Sequence, residues 1–319
     1  MENEQPQFRQ FTYHGDGTEL FKIYIVNWLL TILTLGLYYP WAKASILKYN
    51  YQHTEFDGSN FTFHGTGKEM FRGFIKVVAV IGILYGALIS AQLSGNTTVT
   101  LVVIIVFYII LLFLVPIALH GSMRYRSSRS SWRGIHFGYR GDRGTLTKQF
   151  LKDAFLTIIT LGIYTSWFIN NLRTYIIGNI RFGNITFQYT GNGSDFFWLN
   201  LKGRMLTGLS FGIYFFWYQM ELFEYFIENV YAEQDGKALP IRSTAKGGDF
   251  FVLTLVNGLM LIFSLGLAFP WVQARNFRFF MSNIWVQGDF DGNSLVQTEA
   301  EYRDASGDDM VDMLDLDLM

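Results

Sequence analysis

The side chains with the most chemistry to offer are five histidines, a spaced series of acids and a set of arginines. His14 and His64 stand five residues before Glu19 and Glu69; His53, His120 and His136 lie elsewhere. Two histidines and a carboxylate can hold a metal ion, but no spacing here matches a zinc motif. The alternative for the pair is the polar outer face of a strand. There is no His-Glu-x-x-His. With no cysteine, thiol catalysis, disulfides and Cys metal sites are excluded. No catalytic residue, metal or cofactor is therefore assigned, and an enzyme is the minority expectation.

Glu19, Glu69, Asp195 and Asp249 each open an apolar run. A carboxylate there faces the positive end of a helix dipole and can accept from free backbone amides. A helix-start role is the leading reading and a functional carboxylate the alternative. Asn27 and Asn257 follow Glu19 and Asp249 by eight residues, inside apolar stretches. They can bond between helices or contact a substrate. Arg124, Arg126, Arg173 and Arg275 lie part-way along the segments that follow. A cation there must face an interior or a water-filled cavity, or snorkel to headgroups.

The elements that position these residues are written several times. Thr34-Leu35-Gly36-Leu37-Tyr38-Tyr39-Pro40-Trp41 reappears around Gly162, Gly212 and Gly266, each followed five residues later by Trp. Anchored one residue before the Trp, the copies stand at Pro40, Ser166, Phe216 and Pro270. Eighteen positions on come Gly58, Asn184 and Gly288. The strings Phe61, Phe63, Gly65, Gly67, Glu69 and Phe187, Tyr189, Gly191, Gly193, Asp195 then agree position by position. The same register reveals a fifth copy anchored at Pro116, with Arg143 where Gly stands and Thr145 where the acid stands. The period is 50 residues, and the second copy carries 26 more.

One unit reads as helix, sharp turn, helix, strand. The first apolar run is a helix, exemplified by Glu19 to Leu35. Gly36, Gly162, Gly212 and Gly266 are its structural stop. Pro suits the first turn of the second helix. Alternating aromatics and a Gly-rich exit mark a short strand. Gly-x-Gly sits at a strand-to-helix turn, as a phosphate loop requires, but an acid and an apolar helix follow it, so nucleotide binding is not expected. The fold class expected is a mainly α, polytopic membrane protein of five tandem repeats with short β segments in the linkers.

Half of the residues are hydrophobic and only 16% are charged, against about 25% in soluble domains. Residues 99–119 carry no charge and can span a bilayer; with 77–93 they form a long transmembrane hairpin over 77–119. The turn tips carry no Lys, Arg, Asp or Glu, whereas the linkers are rich in arginine, which favours linkers on the cytoplasmic side. Residues 1–10 are a polar segment without the apolar core of a signal peptide, and 11–292 are one membrane domain. Residues 293–319 are an acidic tail expected to be disordered. Its eight acids and one base leave 18 acids and 24 bases in the body, a net +6 beneath the whole chain's −1.

Gly-x-Gly-x-Glu-Leu-Phe at 15–21, the 34–41 string and Gly-Thr-Gly-Lys-Glu-Met-Phe at 65–71 resemble the YjgN family of bacterial inner-membrane proteins over roughly residues 8–292. The resemblance implies a polytopic inner-membrane protein. The family domain is of unknown function, so it carries over no site residue. Two functions stay open. Internal duplication, broken helices and buried polar groups suit a transporter or channel of small solutes. Aromatic density and linker arginines suit a structural or lipid-interacting protein. Membrane lipids, anionic headgroups among them, are the expected partners; nucleic acid is not, and the sequence leaves the oligomeric state open.

Overall fold

The computed structural model describes residues 8–298. Its first unit runs β1 (Phe8–Tyr13), α1 (Gly17–Leu33), α2 (Tyr39–Gln52) and β2 (Thr54–Phe56). The second continues through β3 (Ser59–Phe63), α3 (Gly67–Leu93), α4 (Thr97–Ser128) and β4 (Ser130–Trp132). Next come β5 (Ile135–Tyr139), α5 (Arg143–Ile159), α6 (Thr165–Gly178) and β6 (Ile180–Phe182). The fourth is β7 (Ile185–Tyr189), α7 (Gly193–Leu209), α8 (Phe215–Glu228) and β8 (Val230–Gln234). The last is β9 (Lys237–Ser243), α9 (Gly247–Phe263), α10 (Phe269–Ser282) and β10 (Ile284–Gln287).

The strands overturn the expected fold class. They are not isolated linker segments but one closed antiparallel barrel, sealed where β1 pairs with β10. Each linker holds two strands joined by a tight turn. Three of these turns, at Asp57-Gly58, Arg133-Gly134 and Asp235-Gly236, have positive φ at both positions, the geometry that suits the strand twist of a hairpin. The stretch around Ile241 and Ser243, which lacks the alternating aromatics of the other copies, is the seven-residue β9. The polytopic expectation is corrected too. Among the described residues only α3 and α4 are long and apolar enough to cross a membrane. The other first helices have 17 residues, about 25 Å at the α-helical rise.

Every helical pair bridges two neighbouring strands, and the ten helices pack in sequence with α10 returning to α1. Two glycines explain how closely they can sit. The second glycine of Gly-x-Gly lies under the Trp of the preceding hairpin: Gly67 under Trp41, Gly193 under Trp167, Gly247 under Trp217 and Gly17 under Trp271. The first lies under the ring two residues before it, Tyr13, Phe63, Tyr139 or Tyr189. The departures in the pattern come in pairs. Where the register puts Ile117 in place of Trp, Arg143 replaces Gly. Where Ser243 replaces the ring, Ala245 replaces Gly. Gly-x-Gly here is a packing device.

The barrel is filled. Phe56, Trp132, Phe182, Ala232 and Val286, one from each unit at the same register position, form a buried layer with Phe290. Trp132 donates its indole N–H to the carbonyls of Ser59 at 3.0 Å and Phe56 at 3.3 Å. Residues 288–298 strap the turn end of the barrel. There Gln234 and Asp291 exchange two bonds, the His136 amide donates to Gln297, and Thr298 donates to the Gly183 carbonyl. The ordered fold thus takes in Phe8–Gln10 and residues 293–298, beyond the 11–292 span read from the sequence. Residues 1–7 and 299–319, which hold most of the acidic tail, lie outside the described residues.

Candidate functional site

The helix starts are built three residues ahead of the acids. Asp16, Thr66, Asp142 and Asn192 are the capping side chains. The Glu19 and Thr18 amides hold the Asp16 carboxyl below its ordinary range. Glu69 closes a capping box with Thr66 and pairs with Arg129 at 3.0 Å. Asp195 accepts from Asn192, and Asp249 lies in the first turn of α9. A tyrosine at one register position ties the second helix back to this start in four units: Tyr49, Tyr125, Tyr175 and Tyr225.

At the far end, Gly36, Gly162, Gly212 and Gly266 have φ between 88° and 93°. The Gly36 amide donates to Thr31 and the Leu35 amide to Ile32, the bond pair of a Schellman turn. The left-handed residue is not glycine but Leu35, Leu161, Phe211 or Leu265, with φ near 50°. These four side chains are 93–98% exposed.

Half-way along each short hairpin lies a polar clasp. Asn27 donates to Ser45 at 2.8 Å. Asn257 donates to Asn276 and accepts from Arg275. The third unit puts Asp153, 1% exposed, at the position of those asparagines, with the Asn171 amide 3.0 Å away. In the fourth, Lys202 pairs with Glu221. Asp153 is eight residues after Thr145, so the register alone could have pointed to it. Asn27 and Asn257 sit in different hairpins, and each is engaged by its own hairpin.

His14 and His64 have separate partners. His14 contacts Glu55 at 3.0 Å. His64 contacts Ser131 at 2.8 Å and packs beside His136. Among the described residues no three His, Asp or Glu are grouped to hold a metal ion. Burial, then His136, Arg129 and Lys48, push His64 below its ordinary pKa. The folded state therefore favours neutral His64, and its contribution is full above the unfolded value of about 6.5 and lost as pH falls below it. The melting temperature is expected to drop between pH 7 and 5.5, and His64→Asn should flatten that slope.

A chamber of about 530 Å³ lies between the barrel and the helical ring. Phe11, Phe61, Phe137 and Phe187, the inward aromatics of alternate strands, make its floor. Leu47, Met123, Ile177 and Phe277 come to it from four different second helices. Its cation is Arg126. Arg126 and Leu47 also line a second cavity of about 290 Å³ between α2 and the long α3–α4 hairpin, beside Lys43. Val77 and Ala118 continue that cavity into an apolar groove of about 210 Å³ along α3 and α4, with Lys76 at its edge. The three spaces form one series from the flank of the long hairpin to the axis. Arg173 stands apart, its guanidinium 3.6 Å over the Phe226 ring, and no contact joins Arg124 to this series.

A filled barrel carries a ring of helical hairpins, one of them long and apolar enough to cross a membrane and bordered by an apolar groove. The chain belongs to the family described as "Bacterial protein of unknown function (DUF898)", which it matches over residues 8–203 and 236–313. It is similar to the "Inner membrane protein YjgN" of Escherichia coli, 28% identical over 129 residues, which are 40% of this chain and 30% of that protein. It is also similar to the protein of that name in Salmonella typhimurium, 26% identical over 170 residues, 53% of this chain and 40% of the relative. The chain thus matches well under half the length of these relatives. No solved structure matches it. Family and relatives together make it a bacterial membrane protein.

Proposed function

We propose that this chain is a five-unit repeat protein of the bacterial inner membrane that binds an amphiphile in its axial chamber, without catalysis. The observation that carries the reading is the continuity of the chamber with the apolar groove on the long hairpin. An apolar cavity with few polar groups is the usual form of a binding site for an apolar molecule. In this reading α3 and α4 span the bilayer, and the four short hairpins dip into one leaflet. Leu35, Leu161, Phe211 and Leu265 support that depth. A fully exposed Leu or Phe leaves its apolar surface in water, and lipid around the tips would remove that cost. The arginine-rich barrel would then lie on the cytoplasmic side.

Ile177→Trp, which fills the chamber, is expected to lower the amount of lipid co-purified per protein while the melting temperature changes little. Unchanged lipid content would defeat the chamber reading. Replacing Leu35, Leu161, Phe211 and Leu265 together with serine is expected to weaken membrane attachment of the short hairpins, read as faster exchange of their tip amides in nanodiscs. A single-cysteine pair at Asp57 and Ser94 should label from opposite faces.

Transport of a small solute is the second reading, supported by the ring of helices around an axial chamber. A flux assay in proteoliposomes decides it. Movement of a solute that Ile177→Trp blocks would favour passage through the chamber over binding of an amphiphile in it.

A further inference from the structure

We infer that the waist between the groove and the chamber is a headgroup site for an anionic phospholipid, built by Lys43 and Arg126 with Lys76 toward the acyl chains. The inference rests on the amphiphile reading and deepens it. Arg126 lines both the chamber and the intermediate cavity, so it stands at the boundary that the two share. Lys43, on α2, lines the same intermediate cavity from the first hairpin. Lys76 stands on α3, where the groove holds otherwise apolar Val, Ile, Leu and Ala side chains. No acid among the described residues pairs with any of the three. The nearest acid in the chain order of α3, Glu69, is already engaged by Thr66, Tyr125 and Arg129.

Three cations with no acidic partner among the described residues, set beside an apolar groove, are complementary to a lipid with a charged phosphate and a hydrocarbon tail. Arg offers a fork of donors to phosphate oxygens and Lys a point charge. Ser122 and the Tyr125 ring complete the wall on α4. Entry is lateral, between α2 and the long hairpin. The groove runs along α3 and α4 and meets the waist through Val77 and Ala118. A lipid held this way keeps its tail against the spanning hairpin while its head reaches the edge of the chamber. The register puts glycine, Gly121, on α4 where Ser45, Asn171, Glu221 and Arg275 supply the polar clasps of the other hairpins. Here the α2–α3–α4 wall is left open as a cavity instead.

The test uses the full chain in nanodiscs of zwitterionic lipid with phosphatidylglycerol added in steps. Bound anionic lipid is counted by native mass spectrometry. Lys43→Gln with Arg126→Gln is expected to weaken the tightest phosphatidylglycerol by about thirtyfold and to leave retention of zwitterionic lipid unchanged. Lys43→Arg with Arg126→Lys should restore most of the affinity. Equal retention of phosphatidylglycerol in the Gln variant would overturn the proposal, as would displacement of the lipid by millimolar inorganic phosphate. If Ile177→Trp abolishes all lipid retention but the Gln variant abolishes none, the chamber reading stands and the headgroup site falls. If the Gln variant loses anionic lipid while Ile177→Trp loses nothing, the reverse holds.

Discussion

Trp132→Ala is expected to leave a barrel that scarcely folds, with a loss of about 3–5 kcal/mol. Trp132 is 1% exposed, at the centre of the layer formed with Phe56, Phe182 and Phe290. Truncation empties an indole-sized space that strands of three to seven residues cannot collapse to fill, because each is pinned on both sides by its neighbours. It also strips the donor from the Ser59 and Phe56 carbonyls, and an unmet buried carbonyl has its own cost. Thermal unfolding in detergent, followed by tryptophan-independent circular dichroism, is the check. Trp132→Phe keeps much of the volume and should lose less than half as much. A fall in melting temperature of only a few degrees for the alanine variant would mean that the barrel does not depend on its filling.

The second large effect belongs to Gly67. A β-carbon there would come within 2.7 Å of the Trp41 Cα and inside the indole ring. Since the obstruction includes backbone, no rotamer of Trp41 relieves it, and α2 and α3 must move apart. Gly67→Ala is expected to cost at least about 2 kcal/mol, the upper part of the range for overpacking. Arg143→Ala, at the same register position in the junction that has Ile117 instead of Trp, should cost less, because that junction already accommodates a β-carbon. Measured side by side, the two substitutions test whether Trp and Gly form a pair. Equal costs would show that the glycine serves the helix start and not the junction.

That pairing marks the border of what could be read beforehand. The register aligns Arg143 with Gly67 and Ile117 with Trp41, and both departures are visible as letters. Their connection is not, because Trp41 and Gly67 belong to successive units and meet only when the hairpins pack side by side. Asp153 is open to the same alignment, but its copies, Asn27 and Asn257, are residues of another charge type. The helix-start acids were legible as positions. Their caps are less so, since Asp16, Thr66 and Asn192 are the variable middle residue of the Gly-x-Gly string. The chamber could not be read at all. Phe11, Phe61, Phe137 and Phe187 are a period-two pattern in four separate segments, and nothing local says that they face one another.

By itself the sequence determined the local elements: where helices start and turn, which hairpin is long, and which family the chain belongs to. These follow from spacing, turn chemistry and apolar length, which act over a few residues. Only the tertiary structure decided that the linkers close into a barrel. Strands such as Thr54–Phe56 and Ser130–Trp132 are too short to hold an identity of their own. Their stability is non-local, and the closing pair, Phe8–Gln10 with Trp285–Gln287, joins residues from opposite ends of the described chain. With closure come the axis, the filled layer and the chamber beside Arg126, and with them the site where a ligand would sit.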